Sequence, residues 1–163
     1  MKEIDVQELL DKQAITEAIY SYGRAMDRLD HEVGYALFWP DAIADYGEMY
    51  QGTGVGFVDM VLEAHLDFVA HSHQCSNVLI TIEGATAWSE TYVDATLRRT
   101  GEDGTYIDNR NLGRYVDRWE KRHGEWRIVK RTYLHDFDQV LVSVATFATT
   151  GRRDRQDASY ERR

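Results

Sequence analysis

Cysteine and proline are nearly missing from this chain of 163 residues, which has one of each, Cys75 and Pro40. A single thiol forms no intrachain disulfide and no cysteine-built zinc or iron–sulfur site, so packing must hold the fold, and Cys75 reads as a small buried apolar side chain. No apolar run approaches the roughly 20 residues that cross a bilayer. Residues 1–10 carry acids at amphipathic spacing instead of a basic segment followed by an apolar one, so no secretory signal is expected and a cytoplasmic location is. Positive charge is also in deficit, with 19 Lys and Arg against 28 Asp and Glu and a formal net charge of −9. Such a surface repels a phosphate backbone, so nucleic acid is not an expected partner. The arginines at 152, 153, 155, 162 and 163 are interrupted by Asp154, Asp157 and Glu161 and read as a solvated tail. A glycine-rich phosphate loop, a serine nucleophile elbow and a dinucleotide fingerprint are all lacking, and no cofactor is expected.

What is present is a chain that is 43% hydrophobic and 29% charged, an ordinary globular balance that predicts one domain over residues 1–163. Ile15, Ile19, Tyr22, Met26 and Leu29 recur at steps of four and three, the spacing of one buried stripe on a helix over about residues 5–29. A second short helix is expected at 31–38, stopped by Pro40. Short strands follow at 42–46 and 49–51, then a third helix at about 57–70. Beyond that the period changes to two. Strands are expected at 77–82, 86–99, 106–121 and 125–137, with turns at Glu83-Gly84 and His123-Gly124 and a polar loop at 100–105. Tight turns leave no room for a parallel crossover, so these four strands form an antiparallel meander in an α+β domain. The core is expected to end near residue 137. Residues 138–163 would form a C-terminal lid or tail, returning across the sheet or pocket mouth before a mobile end.

Four stretches carry a resemblance: Asp27-Arg28-Leu29-Asp30; Trp39-Pro40-Asp41-Ala42; Ser72-His73 with Asn77-Val78-Leu79-Ile80; and Gly113-Arg114-Tyr115-Val116-Asp117-Arg118-Trp119 with Gly124-Glu125-Trp126-Arg127-Ile128. Across roughly residues 5–137 the chain resembles the SnoaL-like branch of the nuclear-transport-factor-2-like superfamily. The resemblance implies a cone-shaped, curved antiparallel sheet wrapped round the long first helix, with an apolar pocket between them. Scytalone dehydratase, the bile-acid dehydratases and the hexachlorocyclohexane dehydrochlorinase use an Asp near the end of that helix and a His at the start of the first long strand. Asp27 and His73 match these positions.

A neutral imidazole can remove a carbon-bound proton, and an adjacent carboxylate fixes its tautomer and stabilises the imidazolium that forms. Gly23, one turn before Asp27, leaves space beside that carboxylate. Tyr22 and Tyr46 are candidates to polarise a carbonyl or assist a departing hydroxyl. Arg131 shares a strand face with Val129 and Tyr133, from which it would bind a substrate oxygen or an inward-facing acid. Asp94 lies on one face with Trp88, Glu90 and Tyr92, a candidate partner for Arg131 or a second acid. Trp39, Phe57, Tyr92, Asp94, Asn109 and Arg110 complete the expected pocket. His71 and His73 point the same way and could share an ion, but no third ligand is evident and no metal is expected.

The expected function is that of a cofactor-independent lyase, a dehydratase or a retro-aldol enzyme releasing a small aldehyde, acting on a hydrophobic hydroxylated aromatic or polycyclic molecule. An isomerase or cyclase would use the same residues, while a binding protein or the small subunit of a ring-hydroxylating dioxygenase would need none of them. The resemblance further implies a homo-oligomer, trimer or dimer, joined through the outer sheet face. No membrane partner is expected.

Overall fold

The computed structural model describes residues 6–161, so the readings that touched residues 1–5, Arg162 and Arg163 fall outside the described residues. One six-stranded, curved open sheet packs with three α-helices. Among the described residues no helix is long and apolar enough to cross a membrane.

Helix α1 (Val6–Arg28) buries the stripe expected of it, Ile15, Ile19, Tyr22 and Met26. It ends where Leu29 turns left-handed at φ 52°. Asp30 then caps α2 (His31–Ala36) by accepting from the Val33 amide. Helix α2 is shorter than expected, and Pro40 does not stop it. Pro40 sits inside β1 (Phe38–Asp45), in the interval between Phe38 and Ile43 where the pairing register shifts, and there its missing N–H leaves no ladder bond unmade. After β2 (Gln51–Thr53), the Thr53 hydroxyl caps α3 (Gly54–Ala64), which passes into a single 3₁₀ turn, His65–Asp67. Helix α3 is thus shorter than the periodicity predicts.

Strands β3 (Ala70–Glu83), β4 (Thr86–Thr100), β5 (Tyr106–Arg122) and β6 (Glu125–Ser143) form the expected antiparallel meander. His123 and Gly124 join β5 to β6 with φ of 55° and 86°, the doubly positive geometry that matches strand twist in a two-residue hairpin. The sheet order is β2-β1-β6-β5-β4-β3, with β1 parallel to β6, a pairing that no local turn dictates. Strand β3 begins seven residues earlier than its apolar alternation, and a bulge between Ser76 and Leu79, with Asn77 at φ 49°, shifts its register. Because of that extra residue, His73 and Cys75 share the inner face with Val78, Ile80 and Ile82. A second shift, at Val129 of β6, puts Arg131 on the inner face with Ile128 and Tyr133, leaving Val129 unpaired with β5.

Beyond Phe137, β6 continues paired with β5 to Ser143, so this stretch is sheet and not a separate return. Among the described residues, Arg153 and Arg155 are not part of a solvated tail either. Arg153 donates to the His65 carbonyl, Arg155 pairs with Asp30 and Glu32, and the Tyr160 hydroxyl donates to Asp30 at 2.6 Å. Asp30 is the buried acid that draws this segment in, and a formal charge count along the sequence does not reveal it.

The inner face of the sheet is anchored by a fully buried ion pair. Arg131 donates from Nε and Nη2 to Asp117 at 2.8 and 2.7 Å, and both side chains are 0% exposed. The two residues are direct cross-strand partners, and the guanidinium lies over the rings of Tyr22 and Tyr115 at 4.4 and 4.0 Å. Removing one charge strands the other in a dry interior. Asp117→Asn is therefore expected to lower the unfolding free energy by about 3–5 kcal/mol in urea denaturation, and Arg131→Met combined with Asp117→Leu to recover most of that loss. An unchanged midpoint for Asp117→Asn would contradict this reading of the pair.

Candidate functional site

A cavity of about 1020 Å³ opens between α1, α3 and the inner sheet face. Tyr22 and Met26 reach it from the stripe of α1, Phe57 and Val61 from α3, and alternate residues such as Val93, Ala95 and Tyr115 from the sheet.

His73 lines this cavity, and the last turn of α1 meets it there. The His73 Nδ1 is 2.7 Å from Asp27 Oδ1, and the His73 main-chain N–H donates to both Asp27 oxygens at 3.0 and 3.1 Å. The side chains are 7% and 15% exposed, respectively. An ionised carboxylate only accepts, so the ring proton belongs on Nδ1, and Nε2 keeps a free lone pair. Among the described residues Nε2 has no protein partner. Gly23 faces the strand at this point, where a Cβ would meet the His73 carbonyl at 3.4 Å, an ordinary contact, so alanine would fit and only a larger side chain would be crowded.

Tyr22 and Tyr46 meet each other, hydroxyl to hydroxyl, at 3.1 Å. Tyr46 stacks on Phe57 with ring centres 3.6 Å apart and planes 9° from parallel. Burial pushes both phenols above their ordinary range, and for Tyr46 the neighbouring Tyr22 adds to it. Each is therefore a neutral hydrogen-bond donor and not a base. Burial also pushes the partly buried Cys75 thiol up to about 11, which leaves it a protonated, unreactive packing group.

Phe57 and Asn109 line the cavity, but the other four residues expected there do not. Trp39 donates its indole N–H to the Glu120 carbonyl at 3.0 Å and lies between Arg122 and Arg127 at the sheet edge. Tyr92 is 44% exposed, and Asp94 pairs with Arg110. Both acid and base stand on the outer face, because the inner positions of β4 are the buried ones, Ala87, Ser89, Thr91, Val93 and Ala95. Alternation correctly grouped Trp88, Glu90, Tyr92 and Asp94 on one face, but that face looks away from the core. Arg131 does face inward, yet its acid is Asp117 and it lies beneath Tyr22 and Tyr115. It supports the cavity floor and is not a lining residue.

Sequence reasoning missed His65, Tyr115 and Tyr133, all of which line the cavity, as does Asn111 of the polar cluster that includes Asn109. His65 follows Val58 and Leu62 by seven and three positions, so the apolar stripe of α3 carried the signal. Tyr115 alternates with Asp117 and Trp119 on β5, and Asn111 lies two residues beyond Asn109. His65, His71 and His73 gather at one end of the site, with ring centres 4.4 Å apart for His65 and His71, 5.9 Å for His65 and His73, and 6.4 Å for His71 and His73. Among the described residues no three His, Cys, Asp or Glu side chains are arranged to hold a metal ion.

The sequence profile of the SnoaL-like domain matches residues 7–132. No curated protein matches the chain. Among solved structures, a candidate scytalone dehydratase from Novosphingobium aromaticivorans is 23% identical with a TM-score of 0.71, the match covering 87% of this chain and 97% of that one. The hexachlorocyclohexane dehydrochlorinase LinA-type3 from Novosphingobium barchaimii is 14% identical with a TM-score of 0.75, over 90% of this chain and 100% of the other. A candidate aromatic ring hydroxylase from Novosphingobium aromaticivorans is 21% identical with a TM-score of 0.68, over 83% and 94%. At such identities the likeness is one of fold.

Two of the three imidazoles are held neutral. Burial, with help from neighbouring His73 and Arg153, lowers His65 to about 4; burial, with His65, Arg153 and His73, lowers His71 to about 3. Between an unfolded value near 6.5 and these folded values, the unfolded chain binds protons that the folded chain refuses, so stability is complete above that window and falls as pH drops through it. Urea midpoints measured from about pH 7 down to about pH 4.5 are expected to show this loss, and to show less of it in a His65→Gln, His71→Gln double variant.

Proposed function

The chain belongs to the SnoaL-like domain family, and we propose that within it this protein is a cofactor-independent lyase acting on a hydrophobic hydroxylated aromatic or polycyclic molecule. The observation that carries this reading is the 2.7 Å contact between Asp27 and His73 at the wall of a cavity of about 1020 Å³. That volume suits a small organic molecule of several fused or linked rings. Fold likeness to a candidate scytalone dehydratase and to a dehydrochlorinase supports elimination chemistry in particular.

In the proposed elimination, His73 Nε2 takes a proton from a substrate carbon. The C–H electron pair becomes the new double bond as the carbon–oxygen bond breaks, and the departing hydroxide takes the proton back from Nε2 and leaves as water. Asp27 holds the ring in the reactive tautomer and stabilises the transient imidazolium. Tyr22 and Tyr46 form a chain in which one hydroxyl donates to the other and the second is left to donate to a substrate oxygen. The same base also serves carbon–carbon cleavage with release of an aldehyde, or isomerisation if the proton returns to a different carbon. We further propose a trimer or dimer, in which the outer sheet face bearing exposed Leu79, Trp88 and Tyr92 is covered by another copy.

Wild type, His73→Ala and Asp27→Asn are to be incubated, with no added cofactor, with a panel of hydroxylated aromatic and steroidal compounds and followed by mass spectrometry. Loss of water or of a small aldehyde identifies the lyase, and a new isomer of unchanged mass identifies an isomerase. Turnover is expected to fall by about a hundredfold or more in both variants. Equal turnover by wild type and His73→Ala would sink the assignment.

A further inference from the structure

His65 stands at the end of α3, where the helix passes into its 3₁₀ turn. It is 5% exposed and lines the cavity. Its Nδ1 is closed off from solvent without a hydrogen-bond partner, so Nε2, which is not closed off and has no partner among the described residues, is the nitrogen that can meet a molecule in the cavity. His71 packs against its ring at 39° to it, a face contact that uses neither set of lone pairs, and Phe68 meets its edge. The His65 carbonyl accepts from Arg153 of the C-terminal segment, so the backbone behind the ring is fixed. A leucine or phenylalanine would fill the same space without burying an unpaired polar atom, and such atoms in a native interior call for a reason. Packing alone does not supply one.

We infer that His65 is a second substrate-contacting residue, which accepts a hydrogen bond from, or donates one to, a hydroxyl or carbonyl oxygen of the molecule held beside His73. This rests on the proposed lyase reading insofar as the cavity is taken as the site. With its ring centre 5.9 Å from that of His73, His65 can engage an oxygen on the ring whose carbon His73 deprotonates. Being neutral, it contributes direction and not charge, so it favours uncharged phenols, alcohols and ketones over carboxylates. Among the described residues that line the cavity, no arginine or lysine is free to offset that preference. Arg114, which also lines it, is already bound by Asp136 at 3.0 Å and by Glu90 at 3.4 Å.

The test is a binding experiment that needs no turnover. Naphthalene and 2-naphthol are titrated by fluorescence into wild type, His65→Phe, His65→Leu, His65→Gln and His73→Ala. The preference of wild type for 2-naphthol over naphthalene is expected to shrink about fivefold in His65→Phe and His65→Leu, the worth of one net hydrogen bond, and to survive in His65→Gln. The preference is read as the ratio of the two affinities, so a change in naphthalene affinity common to both probes cancels, and the melting temperatures of the two apolar variants should equal or exceed that of wild type, because an unpaired buried nitrogen is gone. An undiminished preference in the folded apolar variants would overturn the role of His65. If the preference disappears only in His73→Ala, the cavity stands as the site and this inference alone falls. If neither probe binds wild type, the cavity reading falls and takes the inference with it.

Discussion

One carboxylate joins the long helix to the sheet. Asp27 takes both the main-chain N–H and the ring nitrogen of His73, so the end of α1 and the inner face of β3 are fixed at hydrogen-bond distance by the same group. The main-chain bonds make the contact part of the fold, and the ring bond makes it available to chemistry. A side chain so held has little freedom left to lose, as the proposed role of general base requires.

The second organising feature lies under the cavity. Arg131 and Asp117 exchange two hydrogen bonds in a region that excludes water, and Tyr22 and Tyr115 close over the guanidinium. A buried ion pair of this kind adds little net stability, since desolvation offsets much of the attraction. Here it sets the positions of two aromatic rings, and one of these, Tyr22, carries the hydroxyl that meets Tyr46. The cavity thus has polar groups at the dyad and the phenols, with Asn109 and Asn111 adding to them from β5, and is supported from below by charge that does not line it.

Alternation along a strand tells which residues share a face but not which face is covered. Asp94, Tyr92 and their neighbours were correctly grouped and wrongly turned inward, since the small buried residues of β4 are the ones against the helix. Parity also fails at bulges. The irregularity around Asn77 puts His73 on the same side as Val78, five residues away, and the one at Val129 does the same for Ile128 and Arg131. Pro40 was read as a helix stop, yet it occupies a gap in strand pairing. The terminal arginines looked solvated because Asp30, the acid that binds Arg155 and Tyr160, lies more than a hundred residues away.

Residue spacing alone was enough for the opening helix and for the four-strand meander, because periodicity and tight turns are local properties of the chain. The pairing of Asp27 with His73 was reached only through family likeness, since 46 positions separate them and no spacing rule spans that distance. The covered face, the partner of Arg131, the parallel seating of β1 beside β6 and the place of His65 were decided when the sheet curved around α1. Each of these depends on where the backbone gains one extra residue and on which distant charges become dry together, and neither is written in any short stretch of the sequence.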